Sequence, residues 1–320
     1  MGRVEAICTC VQKGGKKSSQ PLARFVANHG IEGDAHAGPW HRQVSVLSAE
    51  DIEAMRRGAL PGLKTGDFAE NLVVSGADLG SLGLGSRLRL GSEAELMVTQ
   101  LGKECHQRCV IYDQTGDCIM PRLGLFARVL RDGTVAAGDA VEVLEAVSRQ
   151  KFQAVILTIS DRCSRGEAVD ATGPAVGRLL ESSLEAHVYA TEIVPDDRDR
   201  IAARLRHYSD GHSIDLVLAA GGTGFAPRDV TPEAVTAVIQ RPTPGLDEAM
   251  RRASLEKTPM AMLSRAVSGI RNGTLIVSLP GSERGAVENL RAILSALEHG
   301  LAKLRGDPSD CGPARGPSGV

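Results

Sequence analysis

The residues best suited to chemistry sit in four short segments, each following an apolar run: Ser160-Asp161-Arg162, Pro195-Asp196-Asp197, Gly221 to Asp229, and Pro280-Gly281-Ser282. The third is the densest. Leu216 to Ala220 is apolar without alternation, as in a strand covered on both faces, and Gly221-Gly222-Thr223-Gly224 follows directly. Glycines at that place let the backbone approach a ligand, with N–H groups free to face anionic oxygens. Asp229 stands beyond the turn. Thr231-Pro232 then reads as a helix start, a capping hydroxyl followed by proline at the first helical position. A phosphate-binding turn beside a carboxylate suits a metal-bound phosphate compound. No Gly-Lys-Ser/Thr follows, so the turn is not a P-loop. The aspartates also have structural readings. Asp196 could cap a helix beginning at Asp197, and Asp161 and Asp170 could be ordinary turn residues. Asp229 is harder to explain in this way, because Thr231 already supplies a cap.

The elements that must hold these segments alternate. Strands at Ala154–Ile159, His187–Ile193, Asp215–Ala220 and Leu275–Leu279 are interleaved with helices at Pro174–Leu184, Asp197–His207, Pro232–Gln240, Asp247–Leu255 and Ala286–Leu304. This predicts an α/β domain with a mostly parallel sheet flanked by helices, and ligands at the carboxyl ends of its strands. Residues before it read differently. Gln43–Leu47, Glu70–Ser75, Arg87–Leu90, Glu95–Gln100 and Ala140–Leu144 are short strand candidates between glycine turns, with a helix at Ala49–Arg57 and a helical turn near Pro121–Val129. The expected organisation is a β-rich, barrel-like domain over 1–148, an α/β domain over 152–305, and a flexible Gly/Pro/Ser-rich tail over 306–320.

At 320 residues, two domains are the natural prior. The 37 basic side chains nearly balance the 39 acidic ones. Residues 1–148 hold 16 basic and 18 acidic, so neither half carries the positive excess that non-specific nucleic-acid binding requires. No apolar run is long enough to span a bilayer. The first ten residues lack a basic region followed by an apolar one. Seven cysteines make an odd number for a disulfide framework. Reduced thiols and a cytoplasmic location are the expectation.

Taken in order, Thr158-Ile159-Ser160-Asp161, Asp170-Ala171-Thr172-Gly173-Pro174, Val194-Pro195-Asp196-Asp197, the run from Gly221 to Ala234, Pro244-Gly245, Met262-Leu263-Ser264-Arg265 and Leu279-Pro280-Gly281-Ser282 resemble the molybdopterin adenylyltransferase family, which includes the bacterial enzyme and the G domains of gephyrin and its plant counterpart. The resemblance implies Mg²⁺-dependent transfer of AMP from ATP to the terminal phosphate of molybdopterin, with release of pyrophosphate. It matches Asp196 and Asp229 to the catalytic aspartates that would hold Mg²⁺. Asp161, Asp170, Thr172, Gly173, Gly221, Gly222, Thr223 and Gly224 would hold the nucleotide. Arg265, Gly281 and Ser282 would face the pterin or its phosphate. It also suggests a homotrimer.

A second ordered series, Gly33-Asp34-Ala35-His36-Ala37-Gly38, His41 to Ser48, Gly66-Asp67-Phe68-Ala69-Glu70-Asn71-Leu72, Gly102-Lys103-Glu104-Cys105 and Gly124 to Val129, resembles the MOSC domain. Family members carry a cysteine thought to hold sulfur or contact the molybdenum cofactor; here it matches Cys105. Lys103, His106 and Arg108 would favour its thiolate. Where many bacterial relatives have a proline-rich approach, this chain has Leu101-Gly102-Lys103-Glu104. A buried structural cysteine is the plainer reading, and Cys105, Cys109, Cys118 and His106 could instead bind a metal, although Cys-x₃-Cys is not the usual zinc-knuckle spacing. His36 and His41 suit either anion contact or structural hydrogen bonds. Together the two resemblances imply a bifunctional enzyme of molybdenum cofactor biosynthesis, acting on small molecules and passing product to a molybdoenzyme or molybdate-insertion partner. The alternative is a non-catalytic molybdenum cofactor carrier or chaperone.

Overall fold

A uniformly apolar strand needs cover on both faces, whereas an alternating one can wall a barrel; the chain uses each in turn. The structure, a computed structural model, describes residues 2–13, 16–58, 62–102 and 118–308. It divides into two units, Met1–Lys151 with Gly211–Ser213, and Phe152–Asp210 with Ile214–Val320. Of the expected tail, residues 309–320 lie outside the described residues.

The first unit is a closed barrel. Its strands are β1 (Gly2–Thr9), β2 (Ser18–Gln20), β3 (Leu22–Val26), β4 (Gly30–Ile31), β5 (Val44–Ser48), β6 (Leu72–Ser75), β7 (Arg87–Leu90), β8 (Ala94–Leu101), β9 (Leu125–Arg131), β10 (Gly133–Ala136) and β11 (Ala140–Glu145). The ring runs β11-β7-β8-β9-β5-β6-β1 and closes through a β1–β11 pairing; β10, β3 and β4 form a small separate sheet. Closure removes the exposed edges. Alternation survives on β7 and β8, where Leu88, Leu90, Leu96 and Val98 are buried. It fails on β5, which is buried throughout. The reason is a second layer: Ile52 of α1 (Ala49–Gly58) and Met120 of α2 (Met120–Leu123) join Leu47, Val73 and Phe126 in one apolar cluster. The helical turn expected near Pro121–Val129 is cut short. Gly124 ends α2, and Leu125 to Arg131 pair with β8 as a strand.

The second unit holds β12 (Phe152–Ile159), α3 (Asp161–Ser164), α4 (Thr172–Ser183), β13 (Ala186–Val194), α5 (Arg198–Gly211), β14 (Leu216–Ala220), α6 (Thr231–Thr236), β15 (Arg241–Pro242), α7 (Pro244–Leu255), β16 (Ser268–Arg271), β17 (Thr274–Leu279) and α8 (Glu283–Leu304). Its sheet runs β13-β12-β14-β17-β16-β15. The first three pairings are parallel and the last two antiparallel. β12, β14 and β17 are buried along their whole length. Leu290, Ile293, Leu297 and Leu301 of α8, spaced three and four apart, seal one face.

Register is what makes the site. Thr158 lies opposite Ala220, Ala220 opposite Leu279, and Ile159 opposite Val194. Four strands therefore stop on one line, and Ser160, Pro195, Gly221 and Pro280 leave the sheet side by side. The chain crosses from β13 over β12 to β14, so loops on either side of β12 splay apart, which is where open parallel sheets receive ligands.

Candidate active site

The glycine turn is dictated by lack of room. Gly221 has φ +124°, and a Cβ there would stand 2.1 Å from the Ile159 carbonyl oxygen. Gly222 has φ +59°, and its Cβ would meet Thr231 Oγ1 at 2.6 Å and Asp196 Oδ1 at 3.0 Å. Both dihedrals lie in the region that favours glycine. The main chain is thereby pressed against β12 on one side and a carboxylate on the other.

A cleft of about 420 Å³ opens over this turn. Asp161, Asp170, Thr172, Asp196, Gly221, Gly222, Asp229 and Gly281 are among the residues that line it. Asp161 and Asp196 clasp each other through the backbone: the Asp161 N–H donates to Asp196 Oδ2 at 2.8 Å and the Asp196 N–H to Asp161 Oδ1 at 3.1 Å. The helix-cap reading of Asp196 is displaced by its neighbour, since Asp197 Oδ1 accepts from the Arg200 N–H at 2.9 Å. Burial first, then the nearby carboxylates of Asp161 and Asp229, push the Asp196 carboxyl above its ordinary value. Asp161 goes the other way, held down by the Arg228 guanidinium on its Oδ2.

Asp229 Oδ2 accepts from the Ala226 N–H at 2.9 Å, which folds the loop back on itself. Thr231 does not cap, contrary to the sequence reading. α6 begins on Thr231 itself, with Val230 at the cap position and no side-chain cap bond. The Thr231 N–H is drawn to the Gly222 carbonyl at 3.1 Å, which pulls the residue inward. Its hydroxyl is buried and, among the described residues, has no hydrogen-bond partner. Asp170 is structurally committed: Oδ1 accepts from the Gly173 N–H at 2.9 Å and Oδ2 from Thr158 Oγ1 at 2.8 Å. Thr172 Oγ1 donates to the Gly281 carbonyl at 3.0 Å, tying α4 to the loop after β17.

The turn has a second side. A hollow of about 290 Å³ is lined by Thr223, Gly224, Arg251, Lys257, Ser264 and Ser282, among others. Gly221 and Gly222 thus face one hollow, while Thr223 and Gly224 face the other. Ser282 caps α8, accepting from the Gly285 N–H at 3.2 Å. Arg265 lines neither hollow. Its Nε donates to the Gly224 carbonyl at 2.7 Å, a terminal nitrogen donates to the Asp229 carbonyl, and another pairs with Glu233. It braces the glycine loop from behind, as Gly173 supports Asp170. Sequence reasoning missed the second hollow because Arg251 and Lys257 lie beyond the Pro244-Gly245 motif, on and after the helix that it opens.

In the barrel, Cys105, Cys109 and His106 fall outside the described residues, while Cys118 is buried in the apolar cluster. A small pocket of about 70 Å³ is lined by Lys17, His36, Trp40, Arg42, Ser45 and Asn71, with apolar walls. Two cations thus face a space large enough for little more than an anionic group. His41 Nε2 and Arg42 Nε both meet Gln100 Oε1, at 3.0 and 2.5 Å.

The family described as "Probable molybdopterin binding domain" matches residues 155–299, and the MOSC domain matches residues 33–142. The molybdopterin adenylyltransferase of Helicobacter pylori J99 is 41% identical over 153 residues, spanning 48% of this chain and 87% of its own length. The chain belongs to the molybdopterin adenylyltransferase family. The Escherichia coli K12 adenylyltransferase is 42% identical over 46% of this chain and 77% of its own. Gephyrin of Dictyostelium discoideum is 38% identical over 49% of this chain, but the match spans only 23% of gephyrin. The solved structure of the molybdopterin biosynthesis enzyme MoaB from Thermus thermophilus is 47% identical and covers 50% of this chain and 99% of its own, with a TM-score of 0.47. Within this family, the chain joins an adenylyltransferase-like domain to a MOSC domain. Among the described residues, no helix is long and apolar enough to cross a membrane.

Proposed function

We propose that the α/β domain transfers AMP from ATP to the terminal phosphate of molybdopterin, releasing pyrophosphate. The observation that carries this reading is one glycine turn lining two hollows, with Asp196 and Asp229 beside it in the first. The first hollow takes the nucleotide and the second the pterin. A phosphate monoester is already an anion at neutral pH, so the attack needs no general base. The obstacle is bringing it up to a triphosphate. Backbone N–H groups of a turn fixed before the ligand arrives stabilise charge without reorganisation. Arg265 keeps that turn in place, and Arg228 exchanges Asp161 for phosphate oxygens as the nucleotide enters.

The residues present fit a hard divalent cation. The two carboxylates lie against Gly222 and Gly224, where a Cβ would meet Asp196 and Asp229 respectively, and the buried Thr231 hydroxyl lacks a partner among the described residues. Asp196 and Asp229 would hold Mg²⁺, which would supply charge neutralisation between the two anions. The raised Asp196 carboxyl is the mark of acidic groups gathered before that charge arrives. For the barrel, the small pocket with Lys17 and Arg42 fits the phosphate of the cofactor, and Cys105 would deliver sulfur. A homotrimer in the cytoplasm completes the reading.

The test uses the full chain with ATP, Mg²⁺ and molybdopterin, measuring pyrophosphate and adenylylated pterin. Asp229→Ala is expected to abolish turnover while leaving pterin binding largely intact. Adenylylation at the native rate in that variant would overturn the site assignment. Pterin binding without any pyrophosphate release by the native chain would favour the carrier.

A further inference from the structure

We propose that Cys10, Asp34 and His36 form a site for a divalent cation of the zinc class in the barrel domain, with one coordination position left open. This inference is independent of the adenylyl-transfer reading. The three potential ligand atoms, a thiol, a carboxylate oxygen and an imidazole nitrogen, lie within 4.8 Å of one another. His36 Nδ1 is 3.3 Å from Asp34 Oδ1 and 3.9 Å from Cys10 Sγ. With Zn–S near 2.3 Å and Zn–N or Zn–O near 2.0 Å, tetrahedral ligands stand about 3.3 to 3.6 Å apart. The nitrogen–oxygen edge already has that length and the sulfur–nitrogen edge is about 0.4 Å too long, so the Cys10 side chain must turn inward to complete the set.

The two segments that supply the ligands are held together without a metal. The Ala35 N–H donates to the Cys10 carbonyl at 2.7 Å, and the Cys10 N–H donates to Asp34 Oδ2 at 3.1 Å. Outer contacts orient the ligands as metal sites require. Asn71 Nδ2 donates to Asp34 Oδ2 at 3.1 Å, and Trp40 Nε1 donates to the His36 carbonyl at 2.8 Å. Asp34 is fully buried, while His36 keeps 27% of its side chain exposed, so a cation can enter yet finds a partly desolvated site.

Lys17 bears on which cation and what completes it. Its ammonium lies 3.1 Å from Asp34 Oδ2 and is itself buried. A thiolate, a carboxylate, an ammonium and a divalent ion together carry one positive charge. That residual positive charge favours an anionic fourth ligand, hydroxide included, over neutral water. Lys17 and His36 both line the 70 Å³ pocket, which leads an anionic ligand to the open position. Three protein ligands with an open place is the pattern of reactive zinc sites; structural ones close with four.

The full chain, reduced and freed of metal, is titrated with Co²⁺, whose thiolate complexes absorb strongly in the near ultraviolet. One thiolate-bound Co²⁺ per chain is expected. Cys10→Ser, close to isosteric, should abolish the band, and His36→Gln should weaken Co²⁺ binding at least about tenfold. Cys105→Ser and Cys109→Ser should retain it. Far-ultraviolet circular dichroism shows that each variant keeps its fold. Absence of the band, its survival in Cys10→Ser, or its loss in the Cys105 or Cys109 variant while Cys10→Ser keeps it would each overturn the proposal.

Discussion

The glycine cleft of the α/β domain and the polar interior of the barrel solve opposite electrostatic problems. The cleft gathers Asp161, Asp196 and Asp229 at a rim and matches them only at its edge, with Arg228 on Asp161. Burial and like charge leave Asp196 poised against ionisation. The barrel instead buries Asp34 with its counter-charge at hand. Burial alone would push the Asp34 carboxyl up, but His36, the Lys17 ammonium and backbone N–H groups outweigh it and hold it well below the usual carboxylate range. One region leaves its carboxylates largely uncompensated, and the other holds its buried carboxylate beside an ammonium.

The contrast breaks most visibly at its two centres. Asp229→Ala should lower adenylyl transfer by at least about 10²-fold, the order seen when one preorganised electrostatic group is lost, with thermal stability nearly unchanged. Lys17→Met should do the reverse. Removing one partner of a buried ion pair strands the other and costs about 3–5 kcal/mol, read as a fall in the unfolding midpoint in urea. The double variant Lys17→Met/Asp34→Leu should recover most of that loss. A Lys17→Met chain as stable as the native one would show that the pair is not the anchor of the barrel interior.

Opposite shifts also predict opposite pH behaviour. Asp34, depressed in the folded state, contributes stability above its unfolded value, lost as pH falls toward and below it. Asp196, raised in the folded state, contributes stability below its unfolded value and loses it as pH rises through the folded one. At pH 8, Asp196→Asn should therefore be more stable than the native chain while nearly inactive, the usual trade at a strained site. If it is less stable at pH 8, Asp196 already has a cationic partner and its charge is compensated.

How far the sequence revealed this depends on where the contributing residues lie. The cleft was legible because each of its pieces follows a strand of one parallel sheet. Strand ends in register put Asp161, Asp196 and Gly221 side by side whatever the helices do between them. What it did not show was division of labour: Arg265 turned to brace the loop, Asp197 took the cap from Asp196, and Thr231 sank into the core. Those outcomes are set by tertiary hydrogen bonds that no local pattern encodes. The barrel was legible only in part: β5 to β8 and β11 were read as strands, while β1 to β4 and β10 were not, and β9 was read as a helical turn. Its polar cluster was not legible, because Cys10, Lys17, Asp34, His36 and Asn71 come from separate segments around a ring closed by antiparallel pairing, and nothing in their spacing brings them together. Gly222→Ala probes the same point from the cleft side. A methyl there meets Thr231 Oγ1 and Asp196 Oδ1, so the KM for ATP should rise several-fold with a stability loss of about 1 kcal/mol from the positive φ. An unchanged KM would mean that the turn does not touch the nucleotide.

The smallest effect sits at the boundary of the two behaviours, in Glu70. It is buried in the barrel, yet among the described residues it has no cation of its own. Oε1 accepts from the Gly66 N–H at 2.6 Å, while Oε2 has no hydrogen-bond partner among the described residues. Burial pushes its carboxyl up, and the charge of Asp67 adds to that, against the lowering by backbone N–H groups. Its contribution to stability is therefore full below the unfolded value of about 4.3 and lost as pH rises through the folded one. Glutamine keeps an acceptor for Gly66 and removes the stranded charge. Glu70→Gln should raise the melting temperature at pH 8 by roughly 2–4 °C, the shift that about 1 kcal/mol makes in a domain of this size, and leave it unchanged at pH 4. Destabilisation at pH 8 would instead mean that the ionised Glu70 makes a favourable contact and that its charge is not stranded.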